Sequence, residues 1–394
     1  MTRAIRGAVA LVNADVGAAI SSVRIEGARI ASVGAAPATS DRVVDLNGDR
    51  LLPGLINAHD HLQLNGFASI EYPRLYRNAR DWIADIRLRR HSDPALRAGL
   101  LAPRWARLLA GAMKNLLSGV TTVAHHDPLY AGLADPGFPV RVAANCAWSH
   151  SLIIDGEARV RQSHRSTPAG WPWIIHAAEG VDEEAHRELP RLAALGCLAE
   201  NTLVVHGVAL DRAQIGRLAA VGAGLIWCPG SNLRLFGRTA DVAPLLAIGR
   251  VALGTDSRLS GERDLLAELR VARGLGIASS EALESLVTGN AARLLRLTDV
   301  GVLTPGACAD LVVLPAGMPL ASAVRADLRL VVRDGIARYG DDAYARQLAP
   351  ASHWVEIRVD GRRKALQREL ALLLAGAGAV ETGLEMPTTA WRAA

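Results

Sequence analysis

The chain has 394 residues, of which 50% are hydrophobic and 21% are charged, and its formal net charge is +5. This composition excludes an extensively disordered chain, and the length suits one large domain with a smaller companion. The positive excess is spread along the chain without a dense basic block, so we expect no nucleic-acid partner. No apolar run approaches the roughly 20 residues that span a bilayer, so we expect no membrane insertion.

The first 20 residues have one feature of a signal peptide, because Arg3 and Arg6 precede an apolar stretch. Asn13 and Asp15 interrupt that stretch, so we interpret it as a strand and expect a cytoplasmic protein. No two cysteines have C-x-x-C spacing, and we expect all four to be buried thiols, namely Cys146, Cys197, Cys228 and Cys308.

Strand-like segments occupy both ends of the chain. Residues 1–52 contain short β-rich runs separated by Gly, Asn and Asp, and a second such region follows residue 301. Neither region is long enough to bury a core alone. We therefore predict one composite β-sandwich domain from residues 1–52 and 301–360. A C-terminal helix and tail are expected over residues 361–394.

The middle of the chain, residues 53–300, alternates apolar β-rich runs with helical stretches. Continuous apolar strands separated by helices indicate a parallel sheet that is covered on both faces. At this length the pattern predicts an α/β fold of the (β/α)8-type TIM-barrel class, with the active site where the strands end. We count seven runs rather than eight, and only one helix fits between Trp148 and Trp173. We therefore expect the barrel to be irregular over residues 149–172.

The first apolar run of this region ends in an H-x-H pair. His59 and His61 are two residues apart at the end of the run that begins near Pro53. Because side chains alternate along a strand, both imidazoles point to the same face. Such a pair is suited to binding a metal ion. Taken alone, the pair is also compatible with two unrelated surface histidines.

Three later apolar runs also end in residues that bind metals. His176 follows Ile174-Ile175, His206 follows Val204-Val205, and Asp256 follows Gly254-Thr255. In a parallel barrel all these ends lie at one face, so the four positions predict a single metal site. Glu179 lies three residues beyond His176, where a strand turns into a loop; it is either a proton-transferring group at the site or a solvated loop carboxylate.

These motifs resemble the amidohydrolase superfamily. More narrowly, they resemble its metal-dependent deaminases and chlorohydrolases, the branch that includes cytosine, guanine and S-adenosylhomocysteine deaminases. The similarity covers nearly the whole chain. It includes the segments 52–62, 119–123, 176–179, 206, 228–233, 254–256, 288–292 and 301–311.

The resemblance implies a role for each motif residue. His59, His61, His176 and Asp256 are expected to bind the metal. His206 is expected either to bind it as well or to hydrogen-bond the attacking water. The implied catalytic residues are Glu179, which shuttles a proton, together with His206 and Asp256.

The resemblance and the residues together predict one metal ion. Two-metal members of the superfamily usually need a carboxylated lysine at an early strand end. The chain has only two lysines; Lys114 falls in a helical run and Lys364 lies beyond the barrel. We expect one divalent ion, zinc first and iron as the alternative, because histidine and aspartate suit both.

Several further residues are candidates for binding the substrate. Arg258 either binds an anionic group or forms a salt bridge. The cluster His125-His126-Asp127 contains either a substrate contact, a residue that holds a metal ligand in place, or ordinary packed histidines. The full set of predicted substrate-binding residues is Trp148, His150, Ser231, Asn232, Arg258 and His125. The long first loop, residues 63–85, is either a lid beside the metal or an ordinary packed excursion.

The predicted function is a hydrolase that acts on a carbon–nitrogen bond of a small cyclic molecule, with deamination as the leading reaction. The alternatives are hydrolysis of another leaving group, such as chloride or an amide, and a metal-binding pseudoenzyme without catalysis. The expected partner is a small-molecule substrate. A homodimer is compatible with the sequence but is not required by it.

Overall fold

The computed structural model describes residues 8–17, 19–67 and 70–387. The first seven residues and the expected tail beyond residue 387 lie outside this range. Among the helices in it, none has the length and apolar character needed to cross a membrane.

The elements follow one another along the chain as strands first, then alternating helices and strands, then strands again. The strands are β1 (Val9–Asp15), β2 (Ile20–Glu26), β3 (Arg29–Val33), β4 (Arg42–Asp45), β5 (Arg50–Pro53), β6 (Leu55–Asp60), β7 (Val120–His125), β8 (Arg141–Val142), β9 (Ala147–Ser149), β10 (Trp173–Ala177), β11 (Thr202–His206), β12 (Gly224–Trp227), β13 (Val251–Leu253), β14 (Leu311–Leu314), β15 (Leu330–Arg333), β16 (Ile336–Gly340), β17 (Trp354–Val359), β18 (Arg362–Gln367) and β19 (Leu384–Glu385). The helices are α1 (Ala79–Arg89), α2 (Pro94–Leu101), α3 (Arg104–Leu117), α4 (Leu152–Arg165), α5 (Glu183–His186), α6 (Glu188–Ala194), α7 (Arg212–Ala220), α8 (Pro229–Phe236), α9 (Ala243–Ala247), α10 (Leu265–Gly274), α11 (Ser280–Ser285), α12 (Gly289–Leu294), α13 (Asp342–Leu348) and α14 (Arg368–Ala377).

One mixed sheet combines strands from both ends of the chain. Its order is β19-β17-β18-β16-β15-β14-β5-β1-β2-β3, and β4 pairs with β1. The join between the two ends is the antiparallel pair of β5 and β14, in which Leu52 lies opposite Val312. Both strands are rich in Leu and Val that are fully or nearly buried, which accounts for a pairing across about 250 intervening residues.

Parallel strands form the middle of the chain. Strands β6, β7 and β8 make one parallel group, and β9, β10, β11, β12 and β13 make a second. Every residue of β6, β7, β11, β12 and β13 is buried. This explains their continuous apolar runs, since a strand covered on both faces does not alternate. A parallel bridge between Asp60 and Asp256 joins the end of β6 to the turn after β13.

The irregular part of the parallel region lies earlier than expected. The segment 141–149 pairs with β7 at its beginning and with β10 at its end. The four residues between β8 and β9 are too few for a crossover, which needs a dozen or more. The segment is therefore one bent strand, and the expected irregularity over 149–172 is replaced by helix α4. Gly156 interrupts α4 with a non-helical backbone (φ 75°, ψ 159°).

The helices begin where polar side chains cap them. Asn78, Asp93, Ser151, Asp182 and Asp264 each accept a hydrogen bond from a backbone N–H in the first turn of the helix that follows. The C-terminal region differs from the expectation of a helix and tail from residue 361. Residues 362–367 instead extend the mixed sheet as β18, and the helix begins at Arg368.

Candidate active site

The ends of four parallel strands bring the predicted metal ligands together. His59 lies in β6, His176 lies in β10, His206 ends β11, and His61 and Asp256 follow β6 and β13. The Nε2 atom of His176 is 3.1 Å from Nε2 of His59 and 3.4 Å from Nε2 of His61. Oδ1 of Asp256 is 3.8 Å and 3.7 Å from the same two atoms. The five side chains thus face one small volume.

The backbone is strained where these side chains leave their strands. Ala178, His206 and Asp256 have φ values of 54°, 74° and 58°, in the left-handed region that residues other than glycine seldom adopt. His206 is the last residue of β11, and Ala178 and Asp256 lie in the turns that follow β10 and β13. Strain of this kind persists only where the surrounding structure enforces it, and it clusters at functional sites.

Hydrogen bonds fix the tautomers of three imidazoles. Nδ1 of His61 is 2.7 Å from Oδ2 of Asp127, and Nδ1 of His176 is 2.7 Å from the carbonyl oxygen of His150. Nδ1 of His206 is 2.8 Å from Oδ1 of Asn232. All three partners are acceptors, so each Nδ1 carries a proton, and in the neutral form of each ring the Nε2 lone pair faces the shared volume.

Hydrogen bonding to His126 fixes the tautomer of His59. Nε2 of His126 lies 2.9 Å from the carbonyl oxygen of Ser149, so it donates there and its Nδ1 is an acceptor. Nδ1 of His59 is 3.2 Å from that Nδ1 and donates to it. This leaves the Nε2 lone pair of His59 pointing inward. His126 also lies close enough to His59, His61 and His176 to join a metal cluster, but its two hydrogen bonds suit a supporting role.

The donor set fits a divalent cation. Lone pairs of buried imidazoles face one another at hydrogen-bond distance, an arrangement that is repulsive without positive charge between them. Burial lowers the pKa of His59 to about 4 and lowers the pKa of His176 well below its usual value, so both are neutral. Burial also disfavours a charged His61, but the nearby Asp127 carboxylate outweighs it and raises the pKa of His61 to about 9. Metal binding at His61 would therefore release a proton.

Asp256 supplies the anionic member of the set. Although burial opposes ionisation, hydrogen bonding and charge from the neighbouring histidines, His59 foremost, hold the pKa of Asp256 well below its ordinary value. The hydroxyls of Ser231 and Ser260 donate to its Oδ2, which leaves Oδ1 toward His59 and His61. Three or four neutral imidazoles with one carboxylate form the nitrogen and oxygen set that zinc and iron accept.

A buried polar network supports the strand ends from behind. The ammonium of Lys114 lies 3.2 Å from Oδ2 of Asp60, 2.8 Å from Oδ1 of Asn65 and 3.0 Å from Oγ1 of Thr255. The Asn57 amide donates to both Asp60 and Thr255. The network connects β6, helix α3 and the turn after β13, and so sets the position of Asp256 relative to the H-x-H pair.

Glu179 stands beside the ligands. Its Oε1 is 3.6 Å from Nε2 of His206, and burial raises its pKa to about 7. The turn that carries it is held on both sides: Ala79 donates its N–H to the Glu179 carbonyl, and Glu188 accepts the N–H of Ala178. A carboxyl group with a pKa near neutrality can both accept and donate a proton at physiological pH.

A cavity of about 190 Å3 opens over these groups. Its lining combines the ligands and Glu179 with small polar and apolar side chains. The lining residues are His61, Gln63, Leu64, Ala79, Trp82, Ile83, Asp127, His150, Ser151, Ile154, His176, Glu179, His206, Asp256 and Ser257. The first loop and helix α1 thus form one wall, and the segment after β9 forms the facing wall.

Of the six predicted substrate-binding residues, His150 is the one that lines this cavity within the described chain. Ser231 and Asn232 instead bond to Asp256 and His206 from behind. Nδ1 of His125 lies 3.3 Å from the backbone nitrogen of Leu62.

Trp148 and Arg258 also lie outside the lining of this cavity. Trp148 packs its ring against those of His126 and His150, with centroids 5.3 Å and 4.8 Å apart. Arg258 forms a buried ion pair with Glu381, at 2.7 Å, and so is directed away from the cavity.

The sequence analysis left three roles open for the cluster His125-His126-Asp127, one of which was to hold a proposed metal ligand in place, without saying which residue would do so. In the structure Asp127 contacts His61 and His126 contacts His59. The signal was their position directly after β7, at the same face as the other strand ends. The apolar cavity wall formed by Trp82 and Ile83 belongs to the long first loop and α1, where the sequence pattern indicated a lid without naming its contacts.

The comparisons with known proteins agree with this site. Residues 170–339 match the model of the amidohydrolase family. A 5-methylthioadenosine/S-adenosylhomocysteine deaminase of Halobacterium salinarum is 31% identical over 342 residues, covering 74% of this chain and 78% of that protein. Two solved structures share the fold. An atrazine chlorohydrolase of Arthrobacter aurescens complexed with zinc has a TM-score of 0.66 at 19% identity, covering 84% of this chain and 94% of its own.

The second solved structure is an adenosine deaminase of Xanthomonas campestris with bound zinc. Its TM-score is 0.64 at 18% identity, and the match covers 94% of this chain and 96% of that one. Both solved structures support the α/β architecture with its parallel strands. The convergent histidines and the ionised Asp256, with Glu179 beside them, form a group that could hold a metal ion, which is compatible with this family. The chain belongs to the amidohydrolase family, on its deaminase and chlorohydrolase branch, and is a metal-dependent hydrolase of carbon–nitrogen bonds.

Proposed function

We propose that the protein is a single-zinc deaminase that removes an amino group from an amidine carbon of a nitrogen heterocycle. The observation that carries this proposal is Glu179, a buried carboxyl group with a pKa of about 7 beside His206 and the ligand cluster. An amino group is a poor leaving group unless its nitrogen is protonated so that it leaves as ammonia, and its release therefore needs a proton donor at this position. Chloride leaves as an anion and needs none, which favours deamination over dechlorination.

In this proposal His59, His61, His176 and Asp256 hold the metal, and His206 lies beside it. When bound, a divalent ion would lower the pKa of a coordinated water towards 7 and so supply hydroxide. Zinc is preferred because two solved structures with the same fold contain it. A single ion is preferred because the ammonium of Lys114, the one lysine near these strands, is bonded to Asp60.

The protein's own groups then move the protons. Glu179 accepts a proton from the attacking water as a C–O bond forms at the amidine carbon. It returns that proton to the amino nitrogen as the C–N bond breaks, so water and the aminated ring give the oxo ring and ammonia. Nδ1 of His206 donates to Asn232, so its Nε2 can accept a hydrogen bond at the reaction centre. Asp256 keeps its Oδ1 directed toward His59 and His61.

We further infer the arrangement of the domains. The two parallel groups form one barrel of seven strands, because the bent segment 141–149 pairs with β7 and β10, and the Asp60–Asp256 bridge connects the last strand to the first. Residues 1–52 and 301–360 form the companion β domain, supported by the β5–β14 pairing. The mixed sheet continues beyond residue 360 through β18 and β19.

Isotope labelling tests the reaction. The zinc-loaded protein is incubated in H2(18)O with a panel of amino-substituted and chloro-substituted nitrogen heterocycles, and products are followed by mass spectrometry and an ammonia assay. We expect one equivalent of ammonia for each (18)O atom incorporated at the former amino carbon. His59→Ala, prepared in parallel, is the control that lacks a ligand. Release of chloride without ammonia, or ring opening with retention of nitrogen, would contradict the proposal.

A further inference from the structure

The cavity over the proposed metal ligands is small, and within the described chain neither lysine nor arginine lines it. Both features restrict the substrates that the cavity admits. Resting on the deaminase function proposed above, we propose that the substrate is a compact, uncharged aminated heterocycle of one ring system. A nucleoside with a long or charged extension on its sugar, such as S-adenosylhomocysteine, is excluded. The relevant features are the cavity volume, the anchoring of its two walls and the charges along its lining.

The volume is the first feature. The cavity of about 190 Å3 lies below the range of about 300–1,000 Å3 that is typical of sites for drug-sized ligands. One wall presents the apolar side chains of Leu64, Ala79, Trp82 and Ile83, which suit the faces of a planar ring. Ile154 closes the opposite side; it is 48% exposed and therefore lies between the cavity and solvent.

The first wall is anchored directly to the catalytic turn. Ala79 at the start of α1 donates its N–H to the carbonyl of Glu179, and Val181 donates to the carbonyl of Arg77. The Asn78 side chain donates to Asp182 at 2.6 Å. The beginning of α1 therefore cannot swing away from the site without breaking the turn that positions the acid. The small volume of the cavity is therefore fixed by the fold and does not depend on the position of a mobile lid.

The facing wall is brought close by the bent strand. Because the segment 141–149 pairs with β7 at its beginning and with β10 at its end, His150 and Ser151, which directly follow it, lie beside His176. The His150 carbonyl accepts a hydrogen bond from Nδ1 of His176, and its N–H donates to Asp155. Ser151 caps α4 and accepts the N–H of Ile154 at 3.1 Å. Displacing this wall to admit a larger ligand would disturb a metal ligand.

The side chains of the lining disfavour an anionic substrate group that lies away from the metal. Within the described chain, no lysine or arginine lines the cavity, whereas three carboxylates do. Arg258, two residues after Asp256, is held in its buried pair with Glu381 and is unavailable. The polar groups left for a ring are the neutral side chains of Gln63, Ser151 and Ser257. Such groups recognise ring nitrogens and exocyclic amines by hydrogen bonding, and they supply no positive charge to a carboxylate or phosphate that lies away from the metal.

Competing substrates test this inference. The zinc-loaded protein is assayed for ammonia release from adenine, 5′-methylthioadenosine, S-adenosylhomocysteine and adenosine 5′-phosphate. We expect kcat/KM for adenine to exceed that for each extended compound by at least about tenfold, the size of effect that a misfit in a shaped pocket produces. Equal or greater kcat/KM for an extended or charged compound would overturn the inference and leave the deaminase function standing.

A pair of isoleucine variants tests which side chain limits the size of the substrate. Ile154→Ala should narrow the preference for adenine over 5′-methylthioadenosine by opening the mouth of the cavity. Ile248→Ala is the matched control, because Ile248 is 54% exposed and lies outside the cavity lining. An unchanged ratio in Ile154→Ala, or an equal change in both variants, would overturn the role of this wall.

A binding measurement tests the size restriction of the cavity independently of the proposed deamination. Calorimetric titration of the metal-loaded Glu179→Gln variant with the same four compounds measures fit without turnover. Tighter binding of adenine than of S-adenosylhomocysteine supports the inference even when no compound releases ammonia, an outcome that would remove only the deaminase proposal. Tighter binding of S-adenosylhomocysteine would overturn the inference on its own.

Discussion

Replacement of Asp127 by asparagine should weaken metal binding although Asp127 is not a proposed ligand. Its Oδ2 lies 2.7 Å from Nδ1 of His61, and both side chains are mostly buried, at 15% and 10% exposure. The carboxylate fixes the His61 tautomer and makes its Nε2 a better donor. Loss of such a partner typically lowers metal affinity by about 10- to 100-fold, or about 1.4–2.7 kcal/mol. Burial opposes charge on Asp127, yet the charge of His61 holds its pKa at about 2, so it is ionised throughout the assay range.

The assay is competition for zinc with a chromophoric chelator at fixed pH and ionic strength. The matched control is Asp211→Asn, because Asp211 forms a similar pair with His186, at 3.0 Å, on the surface and outside the cavity. We expect the zinc affinity of the control to equal that of the wild type. An unchanged affinity in Asp127→Asn, or an equal loss in both variants, would refute the assignment of Asp127 as the partner of His61.

Three further predictions follow from buried charged groups. Glu179→Gln should lower kcat by about 10²- to 10⁴-fold with zinc content unchanged by elemental analysis, because an amide transfers no proton; retained activity would remove the proton-transfer role. Burial raises the pKa of Glu188 to about 7, so its contribution to stability is present at low pH and is lost as pH rises through 7. Glu188→Gln should therefore raise the free energy of urea unfolding by about 2–3 kcal/mol at pH 8, with the gain disappearing near pH 5; a gain that is independent of pH would contradict this. Glu381→Gln should destabilise the protein by about 3–5 kcal/mol, because it leaves the buried guanidiniums of Arg258 and Arg325 without their shared carboxylate; a loss below about 1 kcal/mol in the same unfolding assay would contradict it.

The placement of the proposed ligands could be predicted from the sequence, because it depends on a local rule. An apolar run ending in His or Asp places that side chain at the mouth of a parallel sheet, wherever the run lies in the chain. His59, His176 and Asp256 converge for that reason. The β5–β14 pairing was also predictable, since each end of the chain has strands that cannot bury a core alone.

The supporting contacts could not be predicted, because each joins residues that are distant in sequence and depends on side-chain geometry. Asp127 and His61 are 66 residues apart, and Arg258 and Glu381 are 123 apart. Arg258 follows a proposed ligand by two residues, which suggested a substrate contact. The direction of its side chain is instead set by a C-terminal carboxylate whose position no local pattern gives.

The bent strand over residues 141–149 could be predicted from the sequence only in part. The sequence indicated that one unit of the parallel region was short, but it placed the irregularity in residues 149–172. A strand of two residues and one of three, joined by four residues, has no periodicity from which to be recognised. The apolar composition of 140–149 indicates one strand, and the change of partner from β7 to β10 within it is a tertiary feature.

The account depends on one metal ion whose binding enables loss of an amino group. The most direct test is to titrate the metal-free protein with zinc while following ammonia release from an aminated heterocycle. We expect the rate to rise linearly and to saturate at one zinc per chain, and we expect His59→Ala to stay inactive over the same range. Saturation at two zinc ions per chain, or full ammonia release before zinc is added, would contradict the account.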